Sequence, residues 1–488
     1  MMDATLLKPK KLTSEWSLIN SMRVCMILEG CYPYVRGGVS TWVHQYIENS
    51  PEYEFALWTI HATNEDARES LYVFPPNVKE HHKIILNENP EGKTHIARNS
   101  DVFNKATSII YELLKGDQSN NALNDLTSLL RCNHITMNLL NSEEFLSLAQ
   151  RLSNEITGLG MADAYYCLQS MMLPIIKVLS SNIPEADIYH SAVTGYGGLL
   201  GALAAIETNK PFILTEHGIY PREREEELIA SDWTVPAVRP LWIRLFYEMS
   251  KFAYQHATRV TSLFENAKDR QVIIGCKPDK CLVIPNGILS EPFDHITLPE
   301  ARGETHIGAF VRFAAIKDLR TMIRAFYTAK QQSSNMILHI MGGTDDEDYR
   351  ASCEALIDRL DLRSNVIIEG HIDTIEYMKK MDFTLLTSIS EGQPLTILES
   401  MAAGRPCIAT RVGDCAGLIE GSMNDIGPAG ICCTPMIPEE ISAAILRLHS
   451  DHSLRVKMGE NGKKRVKSKY LLKDMLRAYH AVYQVEVS

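Results

Sequence analysis

The chain has 488 residues, 45% of them hydrophobic and 22% charged, an ordinary globular composition whose length exceeds one core and calls for two large domains or three small ones. Its net charge of −11 comes without a long basic block, which excludes a protein that wraps nucleic acid and means that an anionic ligand would need local cations. The longest weakly polar run, Ala192 to Ile206, is interrupted by four glycines and is too short to cross a bilayer.

The opening MMDATLLKPKKLTSEW has no apolar core followed by a small-residue cleavage site, so a cytoplasmic protein without a transmembrane segment is expected. Arg23 to Leu28 (RVCMIL) reads as a strand and VSTWVHQYI from Val39 as a helix, joined by EGCYPYVRGG. Gly37 and Gly38 at that helix entrance either let backbone N–H groups approach a phosphate or form a plain turn. Neither a Walker lysine nor a full GxGxxG is present, which disfavours a P-loop NTPase or a dinucleotide enzyme. Glu52 to Ile60 reads as a second strand and Leu86 to Gly92 as polar loop. Asp101 to Ser181 is mostly helical, an elaboration that serves as an acceptor or partner surface or simply covers the sheet. Eleven cysteines form no CxxC pair, and Cys25, Cys281 and Cys407 sit in apolar runs, the pattern of reduced buried thiols; no metal site is expected.

Strand–helix alternation then resumes. Asp187 to Ser191 precedes TGYGGLLGALAAI, whose glycines fit close helix-on-strand packing better than a dinucleotide loop. Pro211 to Thr215 is a strand that ends in Glu216-His217-Gly218; doubly wound sheets place ligand groups at such strand ends, although a lone histidine is often structural. Tyr220 to Leu228 (YPREREEEL) is a solvated loop or helix start, or the rim of an acceptor cleft. Trp242 to His256 is an amphipathic helix, RVTSLF from Arg259 a strand, and CLVIPNGI from Cys281 the last strand of the first half. Leu289 to Glu304, with two prolines and no periodicity, is the domain boundary.

The second half restarts with the strand HIGAFVRF and the helix AAIKDLRTMIRAFYTA. Arg312 and Lys317 flank their junction, where planar bidentate donors and a point charge together suit a diphosphate. MILHIMGG and NVIIEGHI supply two more strands. Asp382 to Thr387 (DFTLLT) is another, broken by Ser390, Gly392 and Pro394 before Leu395, Leu398, Met401 and Ala402 recur at helical spacing. The unpartnered N–H groups of that helix start suit a phosphate, with Glu391 beside it and Glu399 roughly two turns in. An anion site flanked by two acids suits a sugar nucleotide. Tyr470 to Glu486 carries an apolar helical stripe.

The segment SEGQPLTILESMAAGR, with its acids eight residues apart, resembles the retaining glycosyltransferases of family four, and VIPNGI, TEHG and the Arg312-x4-Lys317 pair extend the resemblance. Pro394 stands where a glycine is usual and Thr396 where a proline is usual. The resemblance implies an α/β GT-B fold: two doubly wound Rossmann-like domains facing a cleft, with a helical insertion in the first. On that reading residues 1–295 form the acceptor-side domain with an insertion at about 100–181, residues 303–469 bind the donor, and residues 470–488 cross back to the first domain. It further implies that Glu391, His217, Arg312 and Lys317 serve catalysis. Gly37, Gly38, Arg312, Lys317, His371, Glu391, Gly392, Leu395, Thr396 and Glu399 would bind the donor, with Glu399 on the ribose and the loop Gly370 to Asp373 reading the base. The implied reaction moves a hexosyl or hexosaminyl unit from a UDP-sugar to a growing glycan with retention, without a metal or other cofactor. Within the family, ILEGCYPYVRGGVSTWVHQYI and TEHGIYPRERE with a helical insertion resemble the enzymes of Pel exopolysaccharide assembly in biofilms. That implies a glycan acceptor and an inner-membrane polysaccharide export complex as partners. A UDP-sugar epimerase of the same fold, or a catalytically silent nucleotide-sugar-sensing subunit, competes with this reading.

Overall fold

The computed structural model describes residues 22–64, 69–87, 100–115, 121–133, 137–230, 234–297, 300, 303–344, 346–370, 372–421 and 426–487. The first domain holds seven strands: β1 (Arg23–Glu29), β2 (Glu54–His61), β3 (Val78–Ile85), β4 (Ile188–Ser191), β5 (Phe212–Glu216), β6 (Arg259–Ser262) and β7 (Cys281–Val283). They pair in the order β3-β2-β1-β4-β5-β6-β7, every neighbour parallel. The second domain holds β8 (Thr305–Phe310), β9 (Met336–Met341), β10 (Val366–Glu369), β11 (Phe383–Leu386), β12 (Cys407–Thr410) and β13 (Gly430–Cys433). Their order is β10-β9-β8-β11-β12-β13, again parallel throughout. Each sheet reverses its winding once, between β1 and β4 and between β8 and β11, and ligand crevices open at such points beyond the carboxyl ends of the strands. These are the two expected doubly wound domains.

Parallel strands with helices on both faces are buried on both sides, so they read as continuous apolar runs; Val24 to Leu28 of β1 are all buried. The strand β3 breaks that pattern. Its sequence VKEHHKII alternates little and carries five charged or ionisable side chains in succession, and it lies at the sheet edge, where charge blunts pairing with other chains. The sequence reading contains no strand here for that reason. The glycines of helix Gly195–Thr208 serve close packing: a Cβ on Gly201 would fall 2.1 Å from the Phe212 ring, and one on Gly198 2.9 Å from Ala253.

The inserted helices Ser100–Lys115, Ala122–Asn133, Glu143–Glu155 and Met161–Leu179 pack over helices Gly195–Thr208 and Arg239–His256, sharing one apolar core with one face of the sheet. The opposite face is covered partly by the last helix, Leu472–Val487, whose Met475, Leu476, Tyr479 and Tyr483 pack with Trp42, Tyr46 and Tyr53. The chain therefore crosses between domains twice. The crossings pair with each other: Ile288 N–H donates to the Tyr470 carbonyl and Leu472 N–H to the Ile288 carbonyl, both at 2.9 Å. Among the described residues no helix is long and apolar enough to cross a membrane.

Candidate active site

On the second domain the chain continues extended past β8, with Val311 and Phe313 buried and Arg312 between them exposed, as strand alternation requires. A short turn, Ala315–Lys317, leads to Asp318, whose left-handed backbone (φ 45°) and side-chain acceptance of the Thr321 N–H at 3.2 Å start the helix Leu319–Lys330. Thr387 Oγ1 donates to the carbonyls of Lys317 and Asp318, each at 3.1 Å, and Ile389 N–H to the Ile316 carbonyl at 2.8 Å. The extension of β11 thus fixes the lysine turn. Lys317 Nζ reaches Glu391 Oε1 at 2.6 Å, and Ser388 Oγ donates to the same oxygen at 2.5 Å. With side chains only 18% and 10% exposed, the pair lies in a partly desolvated wall, where its attraction exceeds that of a surface bridge. The sequence reading gave these residues separate ligand roles; the structure joins them. An ammonium has three donors, so Lys317 can serve Glu391 and a bound oxyanion together.

The helix Leu395–Ala402 begins beside this pair. Its N-cap is Pro394, with no side-chain cap and no acid in the first turn, so Glu391 does not cap it and the amides of Leu395 and Thr396 meet no capping group. Because the helix starts at Leu395, Glu399 sits just over one turn in. The Glu399 carboxyl has no hydrogen bond or ion pair among the described residues, and the surrounding protein mass pushes its pKa up to about 7 even though it keeps some contact with solvent.

The first domain faces these elements with neutral groups. Helix Gly38–Glu48 has Gly37 as N-cap, again without a side-chain cap or first-turn acid, and the space beside both glycines is open. His217 follows β5. Its Nε2 is buried and has no hydrogen-bond partner among the described residues, its ring meets Trp42 edge-on at 4.9 Å, and burial lowers its pKa to about 4, so the imidazole is neutral. Glu216, just before it, is 2% exposed and accepts Tyr254 Oη at 2.6 Å, Gln271 Nε2 at 2.9 Å and Thr194 Oγ1, which fixes the strand end. The two walls touch: a Cβ on Gly392 would fall 2.1 Å from the His217 carbonyl oxygen. Only glycine lets the loop that carries Glu391 come this close to the histidine. Position 371 lies outside the described residues, so its expected base contact has no structural account.

The family described as Domain of unknown function (DUF3492) matches residues 22–279, just over half of the chain, and Glycosyl transferases group 1 matches residues 294–465. The chain belongs to the DUF3492 family and is a group 1 glycosyltransferase. This glycosyltransferase is 25% identical over 335 residues to the capsular polysaccharide biosynthesis glycosyltransferase CapM of Staphylococcus aureus, covering 66% of the chain and 83% of CapM. It shares its fold with a sucrose-phosphate synthase from Thermosynechococcus elongatus, at TM-score 0.62 and 16% identity over 95% of this chain and 98% of that one. It also superposes on Anabaena HepE, solved in complex with UDP, at TM-score 0.58 and 13% identity over 95% and 100% of the two chains. The architecture of the glycosyltransferase is GT-B.

Arg312, Lys317, Glu391, Gly392, Leu395, Thr396 and Glu399 all lie on two adjoining strand-to-helix junctions of the second sheet, β8 and β11, at its winding reversal. Gly37 and Gly38 lie on the junction after β1, at the winding reversal of the first sheet, and His217 on the junction after β5, one strand further out. Sequence reasoning about the glycosyltransferase missed Trp42, which reads as an ordinary core aromatic, and Gln393, whose partners are distant in sequence. A polar side chain between Gly392 and Pro394, in an otherwise apolar strand-to-helix joint, was the available signal for the latter.

Proposed function

We propose that the protein is a cytoplasmic, retaining glycosyltransferase that moves a hexosyl or hexosaminyl unit from a UDP-sugar to a growing exopolysaccharide. The observation that carries the reading is the Lys317–Glu391 pair set across from the unpartnered His217 Nε2, between two helix starts without caps. In the reaction, the bond from the anomeric carbon to the diphosphate oxygen breaks and a bond to the acceptor oxygen forms on the same face. The acceptor proton passes to the departing phosphate oxygen. Arg312, Lys317 and the amides at Gly37, Gly38, Leu395 and Thr396 would stabilise the charge that grows on the diphosphate, generally the largest catalytic term. Glu391, oriented by Lys317 and Ser388, would hold donor hydroxyls; neutral His217 would bond the sugar from the other side, and Glu399 the ribose. Protein cations take the charge, so no metal or other cofactor is required.

The UDP donor is supported by HepE, a neighbour in fold whose structure contains UDP, and a polysaccharide acceptor by CapM, a capsular polysaccharide enzyme. The first-half motifs resemble PelF, which points to Pel-type exopolysaccharide and to partners in an inner-membrane export complex. The test is a panel of UDP-sugars offered with and without oligosaccharide acceptors, reading UDP release and the anomeric configuration of the product by NMR. Acceptor-dependent release with a retained configuration is expected. Conversion of the donor to an epimer without acceptor, an inverted product, or no UDP release from any donor would overturn the assignment.

A further inference from the structure

Gln393 follows Glu391 by two residues and is 5% exposed. Its side-chain carbonyl accepts the backbone N–H of Asn286 at 2.7 Å, while its amide donates to Asp414 Oδ2 at 2.7 Å and to the Leu263 carbonyl at 3.3 Å. Its own backbone carbonyl accepts Asn286 Nδ2 at 2.9 Å. Leu263 and Asn286 follow β6 and β7 in the first domain and are 2% and 4% exposed; Asp414 follows β12 in the second. One buried side chain therefore uses its donors and its acceptor to join the two domains.

Its partners are not arbitrary surface. Asn286 stands where the chain leaves the first domain, two residues before Ile288, which pairs with the returning segment at Tyr470 and Leu472. A Cβ on the intervening Gly287 would lie 2.5 Å from the Leu471 carbonyl oxygen, so the two crossings are in contact. Gln393 is thus bonded to the hinge. Its loop is held from the other side by the second domain, where Asp414 N–H donates to the Gly392 carbonyl at 2.9 Å and a Cβ on Gly413 would fall 2.1 Å from the Glu391 carbonyl oxygen.

We propose that Gln393 is a positioning residue that makes the placement of Glu391 conditional on closure of the two domains. With Asn286 and Leu263 in reach, the 391–393 loop is held where Glu391 meets Lys317 across from His217; with the domains apart, Gln393 loses its first-domain partners and the loop loses one of its two anchors. Water replaces those bonds on opening, so closure is reversible. An apolar side chain of the same size would leave the Asn286 N–H and the Asp414 carboxylate without partners in the closed form. The kinetic consequence rests on the donor-site reading proposed above.

The test compares wild type with Gln393→Met, which keeps the volume and removes the hydrogen bonds, and with Asn286→Ala. For sugar transfer, kcat should fall about 10- to 100-fold in Gln393→Met while the Kd for UDP, by calorimetry, stays within about threefold, the signature of lost positioning and not of lost binding. Asn286→Ala should give a comparable loss, and the double variant no further loss, because both changes break the same contact. Gln393→Asn, which keeps an amide one methylene short, should lie between. X-ray scattering should show Gln393→Met as more extended than wild type. An unchanged kcat, additive losses, or UDP affinity falling in step with kcat would overturn the proposal. Should wild type release no UDP from any donor, the donor reading fails, and the scattering still decides the hinge: equal dimensions for wild type and Gln393→Met reject the latch.

Discussion

Lys317 and Glu391, on the second domain, form an ion pair at 2.6 Å, whereas His217, which faces them from the first, is neutral and keeps a buried ring nitrogen with no partner among the described residues. One wall is charged and already engaged; the other is desolvated and waiting. A partly buried ion pair between hydrogen-bonded neighbours holds its shape before ligand arrives, which is what stabilisation of developing charge requires. An orphaned ring nitrogen instead costs free energy until something bonds it, so it favours the bound state over the empty one. On the proposed function, the diphosphate would sit on the second domain and the sugar at the joint between the two.

The largest effect should come from the charged wall. Lys317→Ala would remove the proposed diphosphate contact and leave Glu391 without its counter-ion, and UDP release with acceptor should fall by roughly 100- to 1,000-fold; a loss below fivefold would place the diphosphate elsewhere. His217→Ala on the neutral wall should cost about tenfold, the value of one hydrogen bond. Because the ring titrates near 4, the rate of transfer should show no histidine limb between about pH 5 and 8, and such a limb would mean the imidazole is charged when it works. The folded pKa lies below the ordinary value of 6.5, so the unfolded chain binds more protons between about 4 and 6.5. His217 therefore contributes stability above that window that is lost as pH falls through it, and His217→Phe should flatten the acid side of a Tm-against-pH curve.

Glu399 gives a smaller effect of opposite sign. Its carboxyl keeps a proton up to about pH 7, while in the unfolded chain it releases it near 4.5. The folded state binds the extra proton, so this group's contribution to stability falls as pH rises from about 4.5 to 7. Glu399→Gln should make the Tm of ligand-free protein decline less across that window, and an unchanged slope would mean the carboxyl is solvated. The smallest expected effect is none at all: dialysis against EDTA should leave transfer unchanged, since on the proposed function side-chain cations carry the charge. Activity lost with EDTA and restored by a divalent ion would break the proposed division between the walls.

The charged wall was the more legible of the two in the sequence. Arg312, Lys317 and Glu391 are polar residues at the ends of apolar strands, and their spacing alone places them at junctions of a wound sheet. The neutral wall is harder to read, because a histidine and a tryptophan at such positions also suit an ordinary core, and only the packing of Trp42 on His217 and the unpartnered Nε2 reveal the difference. The edge strand β3 was hidden by its charge. β13 is hidden by brevity, GICC being too short to show a period, and by a glycine whose role is proximity: a Cβ on Gly430 would fall 2.0 Å from the Cys407 carbonyl oxygen. The contacts of Gln393 with Asn286 and Leu263 span more than a hundred residues, and no local pattern encodes them.

Calorimetric titration of wild type and of the Arg312→Ala, Lys317→Ala double variant with UDP, ADP and GDP tests the central claim most directly. UDP should bind wild type more tightly than ADP or GDP do, and the double variant at least about tenfold more weakly. A wild type that takes ADP or GDP in preference, or a double variant that binds UDP unchanged, would contradict it.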